Sequence, residues 1–262
     1  MKRIATSILL AIFVFVTCLT SYATPFSMAT FTADVTEPIG HPGMGGGIAP
    51  AREVIDPLYA KGVVLLGGEQ PVVMIAIDWC EIRNDAYDHW RDLLAEAAGT
   101  TPKHILLTTV HQHDAPVADL TAQKLLDEVG LEKSLIFPDF HEAAVQKTAQ
   151  ALRDALPHAQ PVTHYGVGVA MVKDITSNRR TVQPDGTVTF ARGSASGKMG
   201  KDLPIDLVDP WLRSLSFWNG DQPVAVLNSY SVHPMSYYGK GGISADFPGM
   251  ARAMREKEMP GV

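Results

Sequence analysis

Eight short apolar stretches, several without any charge and rich in Val, Ile and Leu, constrain this chain more than any other feature. Uninterrupted runs of this kind are typical of strands that are covered on both faces. We predict strands over residues 28–35, 59–66, 71–79, 103–109, 162–171, 187–190, 212–218 and 224–232. Such strands need other layers of structure to bury them, so they must belong to a layered domain.

Amphipathic helices are interspersed with these strands. In residues 84–98 an apolar side chain recurs every three or four positions, with Asn84 placed to cap the helix and Gly99 to end it. A second helix is predicted over about 140–156, and a third begins near Asp246. This order of elements predicts an α/β fold, namely a layered domain with a mixed, largely buried β-sheet flanked by helices.

The composition is that of a folded globular protein with few basic residues. The 262 residues are 46% hydrophobic and 19% charged, which is enough apolar material for a sizeable core. The net charge is -6 and no basic stripe is visible, which argues against nucleic acid as a partner. The composition does not predict an oligomeric state.

The N-terminus has the pattern of a secretory signal peptide. Lys2 and Arg3 precede the uncharged, mostly apolar residues 4–19, and the small residues Ser21 and Ala23 stand where a signal peptidase cuts. We predict a signal peptide over residues 1–23, export to the periplasm or the extracellular space, and one domain over residues 24–262. The alternatives are an uncleaved membrane anchor and, because of Cys18, a lipoprotein.

Cys80 is the cysteine that remains after this cut. The mature chain therefore has no internal disulfide, although its destination is oxidising. Cys80 follows a long apolar run, so we interpret it as a buried structural thiol. A nucleophilic role would require folding to bring a histidine close to it.

The strongest chemical signal is His111-Gln112-His113, which follows the predicted strand at residues 103–109. Two side chains two positions apart on an extended chain point to the same face. Ligands of open α/β sheets bind beyond the carboxyl ends of the strands, and imidazole is the commonest metal ligand. The pattern therefore favours a metal site, against the alternative of two loop histidines that only make hydrogen bonds.

His233 is a second candidate at the end of a strand. It follows the predicted strand at residues 224–232 and precedes Pro234, which cannot continue a central ladder. If this strand and the one before His111 are neighbours, both imidazoles reach one crevice. The alternative is a strand-end histidine bonded to the backbone.

Other polar residues carry weaker signals. The adjacent Arg179 and Arg180 could hold a carboxylate or an oxyanion, or form a solvated basic pair. Asp114 is a candidate ligand or a turn former, and Asp246 either starts a helix or is catalytic. Asp78, at the end of an apolar strand, either supports a ligand or caps a turn.

Several of these segments resemble the neutral (non-lysosomal) ceramidase family. The family's hallmark is a His-Thr-His-Ser segment followed by Gly/Ala-Pro, which His111-Gln112-His113-Asp114-Ala115-Pro116 resembles. The other similar segments occur in the family's order, and the resemblance extends over about residues 28–257. These segments are residues 33–40, 58–61, 178–180, 228–234 and 244–249.

The resemblance implies an exported zinc amidase that splits the N-acyl bond of ceramide into sphingosine and a fatty acid. It implies His111 and His233 as zinc ligands and His113 as a hydrogen-bond donor or proton carrier near the metal. Arg179 or Arg180 would contact the substrate. A ceramide-like lipid is the implied partner, which predicts transient contact with a membrane surface.

Two departures from the family pattern affect these expectations. Gln112 stands where the hallmark has threonine and Asp114 where it has serine, which leaves open a different amide or an ester as substrate. The family's catalytic domain continues beyond residue 262, and its glutamate and tyrosine zinc ligands lie there. The resemblance thus implies the N-terminal part of that domain, with a non-catalytic exported protein as the remaining alternative.

Overall fold

The structure is a computed structural model that describes residues 25–176, 178, 180–190 and 208–260. The strands are β1 Ser27–Asp34, β2 Glu53–Val54, β3 Tyr59–Leu66, β4 Val72–Ile77, β5 Glu81–Arg83, β6 Ile105–Thr109, β7 Val117–Asp119, β8 Gln160–Pro161, β9 His164–Met171, β10 Arg180–Val182, β11 Val188–Phe190, β12 Trp211–Asn219, β13 Gln222–Ser229 and β14 Gly242–Ile243. The helices are α1 Asn84–Ala98, α2 Leu120–Asp127, α3 Pro138–Ala155 and α4 Asp246–Glu258.

A five-stranded mixed sheet of order β6-β4-β3-β1-β8 is the centre of the fold. Strands β4 and β6 pair in parallel, with Ile77 opposite Thr109, and the other pairs of this sheet are antiparallel. Because β4 and β6 run in the same direction, their carboxyl ends leave the sheet at the same edge. The loops that follow these two strands are therefore neighbours.

Helices α1 and α3 cover one face of this sheet. The buried residues Val73, Ile75 and Ile77 alternate along β4 and belong to the same apolar cluster as Trp90 of α1. Each fully buried aliphatic side chain of this kind stabilises the fold by about 1.5–3 kcal/mol relative to an exposed one. The helix face is thus the principal core of the described chain.

A second sheet, of order β13-β12-β9, packs on the other face. Met28 and Val63 of the first sheet form a smaller buried cluster with Phe217, Val224 and Ala225 of the second. Both faces of the central strands are therefore covered, as their apolar runs predicted, although the burial is more complete on the helix side. The α/β layered fold with a mixed sheet is confirmed, and a second sheet is added to it.

Three local details differ from the sequence prediction. Asn84 is the first residue of α1, not its cap, and its side-chain amide donates to Asp119 at 2.7 Å. Strand β13 ends at Ser229, so His233 stands four residues beyond the strand. The strands that precede His111 and His233 are not neighbours, because β6 and β13 belong to different sheets.

The predicted signal peptide at residues 1–23 lies outside the described residues and stays a prediction. Among the residues that are described, no helix has the length and apolar character needed to cross a membrane.

Candidate metal centre

The chain turns sharply where β6 ends and His111 begins. The backbone N–H of Val110 donates to Ile77 at 3.0 Å and that of His111 donates to Trp79 at 3.2 Å, so this segment continues to follow the end of β4. His111 has a φ of 67°, a left-handed conformation that is uncommon for a residue with a side chain. Such strained residues cluster at functional sites, where the surrounding structure holds them.

The imidazoles of His111, His113 and His233 meet at this turn. Their ring centroids are 5.2 Å apart for His111–His113, 5.2 Å for His111–His233 and 4.5 Å for His113–His233. One nitrogen from each ring lies within 4.8 Å of the others, which is close enough for the three to hold one metal ion. The histidines converge because the loop after β13 reaches across to the loop after β6.

Two of these rings have a defined free nitrogen. His111 Nδ1 donates to the Cys80 carbonyl at 3.1 Å, and His113 Nδ1 donates to the Pro234 carbonyl at 2.8 Å. A neutral imidazole that donates from Nδ1 has its lone pair on Nε2. Metal-binding histidines commonly donate their other nitrogen to a carbonyl in this way, so the donor set suits a zinc ion.

Burial keeps His113 in the form that such a site needs. His113 is only 6% exposed, and burial lowers the pKa of its imidazole below the usual value. The ring is therefore neutral near pH 7, and its free nitrogen can accept either a metal ion or a proton.

The two residues that depart from the ceramidase hallmark hold backbone groups in place. Gln112 is fully buried, and its amide donates to the carbonyl of Asp78. Asp114 is also buried, and its carboxylate accepts the N–H of Gly239 at 2.9 Å. These contacts give Gln112 and Asp114 a structural role behind the histidines.

Asp246 fixes the same loop from its other side. The residue is 1% exposed, and its carboxylate accepts the N–H groups of Ser236 at 2.8 Å and Tyr237 at 3.2 Å. The loop from Pro234 onwards is therefore held between two buried carboxylates, Asp114 and Asp246. It places the ring of Tyr238 5.6 Å from that of His113.

Asp78 anchors helix α4 beneath the site. Its carboxylate is fully buried, accepts the N–H of Tyr59 at 2.9 Å, and forms a two-pronged ion pair with Arg252 of α4. Asp78 thus ties α4 to the end of β4, and no described contact joins its carboxylate to one of the three histidines, so its support of a ligand stays a prediction.

Two further residues lie beside His111, namely Cys80, for which the sequence left open the approach of a histidine, and Glu81, which sequence reasoning missed. Cys80 Sγ and Glu81 Oε1 are each 3.7 Å from His111 Nδ1. Burial raises the pKa of the Cys80 thiol to about 11, so the free thiol stays protonated. The available signal was topological, since Cys80 and Glu81 follow β4 as His111 follows its parallel neighbour β6.

The two arginines are not brought to the histidines by any described contact. Arg179 lies outside the described residues. Arg180 is exposed in β10, where its guanidinium lies 6.0 Å from the ring centroid of Phe190. Their substrate-contact role stays a prediction.

Comparison with known proteins identifies the fold. No protein-family model and no curated protein matches this chain, but solved structures do. This chain has the same fold as the part of the ceramidase structures on which it superposes. One is described as a ceramidase complexed with C2 and another as neutral ceramidase from Pseudomonas aeruginosa, each with a TM-score of 0.67, 18% identity and 90% coverage of this chain. The chain spans 36% of the length of either.

Proposed function

We propose that this chain is the N-terminal part of an exported zinc-dependent amidohydrolase that splits the N-acyl bond of ceramide into sphingosine and a fatty acid. The observation that carries the proposal is the meeting of His111, His113 and His233 at a strained turn. The ceramidase-like fold supports the same reaction class.

In this proposal the metal is held by His111 and His233, which lie on separate loops. Zinc, when bound, would polarise the amide carbonyl and acidify a water molecule. The free nitrogen of His111 is aligned by the bond from its Nδ1 to Cys80. Since a catalytic zinc usually has three protein ligands, a further ligand is needed beside these two.

His113 acts on protons in this scheme. Its Nδ1–H is occupied by the Pro234 carbonyl, so Nε2 is the atom that accepts a proton from water and returns it to the departing amine. The lowered pKa of the buried ring keeps Nε2 unprotonated and ready to accept. Tyr238, whose ring packs against His113, limits how that imidazole can rotate.

The proposed substrate is a ceramide-like lipid that is reached by transient contact with a membrane surface. Hydrolysis of another amide or an ester on the same scaffold would use the same groups. The buried positions of Gln112 and Asp114 favour the ceramide proposal, because neither departure from the family hallmark is exposed to a substrate.

The test measures metal content and fatty-acid release together on the protein purified from its natural source. We expect about one zinc per chain and release of fatty acid from a fluorescent ceramide analogue that stops when a chelator is added. Equal release in chelator would refute the metal mechanism, and release from simple esters but not from ceramide would establish the alternative substrate class.

Two variants separate the proposed roles. His233→Ala should lose the zinc, whereas His113→Ala should keep it and hydrolyse the analogue about a hundredfold more slowly, because proton transfer is lost. The exposed His158→Ala serves as the control and should match the wild type. Full zinc content in His233→Ala would remove that residue from the ligand set.

A further inference from the structure

A second group of possible metal ligands lies beside the three histidines. It consists of Cys80, Glu81 and His111, and the thiol, carboxylate and imidazole atoms concerned lie within 4.8 Å of one another. This group shares His111 with the candidate centre, and its thiol and carboxylate lie near the Nδ1 atom of that ring. Neither the resemblance nor the proposed hydrolysis assigns a metal to it.

The distances agree with those in a tetrahedral zinc site. Zinc binds thiolate sulfur at about 2.3 Å and imidazole nitrogen at about 2.0–2.1 Å, which places neighbouring ligand atoms about 3.3–3.6 Å apart. Cys80 Sγ and Glu81 Oε1 are each 3.7 Å from His111 Nδ1. To hold an ion, the His111 ring must also turn away from the Cys80 carbonyl, because that oxygen lies 3.1 Å from Nδ1 in the direction in which the nitrogen would bind a metal.

The backbone around this group is held in place. The N–H of Cys80 donates to the Pro116 carbonyl at 2.8 Å, and β5, which begins with Glu81, pairs in parallel with β7. Arg83 pairs with Oε2 of Glu81 and leaves Oε1 facing the imidazole. A carboxylate ligand whose second oxygen is bonded elsewhere is the usual arrangement at metal sites.

The site is accessible although its sulfur is buried. Cys80 is 2% exposed, but the side chains of His111 and Glu81 are 41% and 25% exposed. An ion can therefore enter past the imidazole and the carboxylate. One sulfur, one nitrogen and one oxygen donor suit zinc and similar thiol-binding cations, and disfavour magnesium or calcium.

We propose that Cys80 Sγ, Glu81 Oε1 and His111 Nδ1 form a second site for a thiol-binding divalent cation such as Zn²⁺, Co²⁺ or Cd²⁺. On binding, the Cys80 thiol releases its proton to solvent. His111 gives up the Nδ1 proton that it now donates to the Cys80 carbonyl and takes up a proton from solvent at Nε2, so the imidazole stays neutral.

Sharing His111 makes the two sites mutually exclusive. A neutral imidazole has one lone pair, so His111 binds through Nδ1 to the second site or through Nε2 to the three-histidine centre. A cation in the second site would therefore withdraw His111 from the centre of the proposed hydrolase. The second site itself does not depend on that activity.

The test is titration of the full chain with Co²⁺ under reducing conditions, followed by ultraviolet and visible absorption. We expect a thiolate-to-cobalt charge-transfer band in the wild type, which nitrogen and oxygen ligands do not produce. Cys80→Ser should abolish the band, and Glu81→Gln should weaken Co²⁺ binding by about tenfold or more. The exposed Glu128→Gln is the matched control for Glu81→Gln and should keep both the band and the wild-type affinity for Co²⁺.

His233→Ala separates this inference from the proposed function. His233 belongs only to the three-histidine centre, so the variant should keep the thiolate band. A band that is absent from the wild type, survives Cys80→Ser or disappears in His233→Ala would overturn the second site. The wild type and His233→Ala could both show the band while the three histidines of the wild type hold no zinc. That result would refute the proposed function and leave the second site standing.

Discussion

The imidazole of His141 is buried between helices α1 and α3, where it packs against the rings of Trp79 and Trp90 at 6.2 and 6.3 Å. Its Nε2 atom is buried and has no hydrogen-bond partner among the described residues. Burial, together with nearby His89, lowers the pKa of this ring to about 4. The folded protein therefore keeps His141 neutral at pH values where a solvent-exposed histidine takes up a proton.

This predicts acid sensitivity. Between pH 6.5 and about 4 the unfolded chain binds a proton at His141 and the folded chain does not, so the free energy of unfolding falls as pH falls. The loss attributable to His141 should reach roughly 3 kcal/mol at pH 4. Urea unfolding across this range measures it.

The matching variant is His141→Leu, which cannot titrate and should show a smaller loss of stability over the same range. The exposed His158→Ala is the control and should follow the wild type. Equal pH slopes for His141→Leu and the wild type would contradict the assignment.

At the scale of elements, helix α4 depends on one buried ion pair. Arg252 is the charged partner of Asp78, whose side chain is fully buried. Arg252→Ala would leave the charged Asp78 carboxylate buried without its positive partner, which costs about 3–5 kcal/mol in comparable cases. We expect a loss of about this size in the free energy of unfolding, measured by chemical denaturation.

Lys257→Ala tests whether the effect is specific to the pair, since Lys257 is an exposed basic residue of the same helix. It should change stability by less than about 0.5 kcal/mol. Similar losses in both variants would mean that the charge of the helix, and not the buried pair, stabilises α4.

The elements that could be predicted are those with a strong local pattern. The apolar stripe of α1 and the helix end at Gly99 could be predicted, because both depend on residues within a few positions of one another. Helix α2 was missed, since it has only eight residues and one fully buried side chain, Gln123. A segment this short carries too little periodicity to stand out from a loop.

The residues of the candidate site also separate into those that a local pattern predicts and those that it does not. His111, His113 and His233 could be proposed from their positions after apolar runs, and the structure brings them together. The nearness of Cys80 and Glu81 to His111 could not be predicted, because it depends on β4 and β6 being parallel neighbours. Strand pairing is a property of the whole sheet and has no local signature.

At the scale of the whole molecule, no other described strand pairs with the outer edge of the second sheet. Strand β9 is the outer strand of its sheet, and alternate apolar residues on it are exposed, among them Val167 at 74% and Val169 at 61%. Exposed apolar edge strands promote association with other chains.

We expect Val169→Lys to reduce concentration-dependent self-association while changing the free energy of unfolding by less than about 0.5 kcal/mol. Light scattering over a concentration series measures the association. Leu125→Lys, at a similarly exposed position on α2, is the control and should leave association unchanged. Identical scattering from Val169→Lys and the wild type would show that β9 does not mediate self-association.

The carbonyl bonds of His111 and His113 have an energetic consequence for any ion that arrives at the centre. Each ring is already fixed in one orientation by a backbone acceptor, on Cys80 and on Pro234. The rotational freedom of these two side chains is therefore lost when the chain folds, not when the ion binds. Folding therefore sets part of the affinity of this centre for a metal ion. A change that loosens the backbone at Cys80 or at Pro234 would weaken metal binding although it alters no ligand.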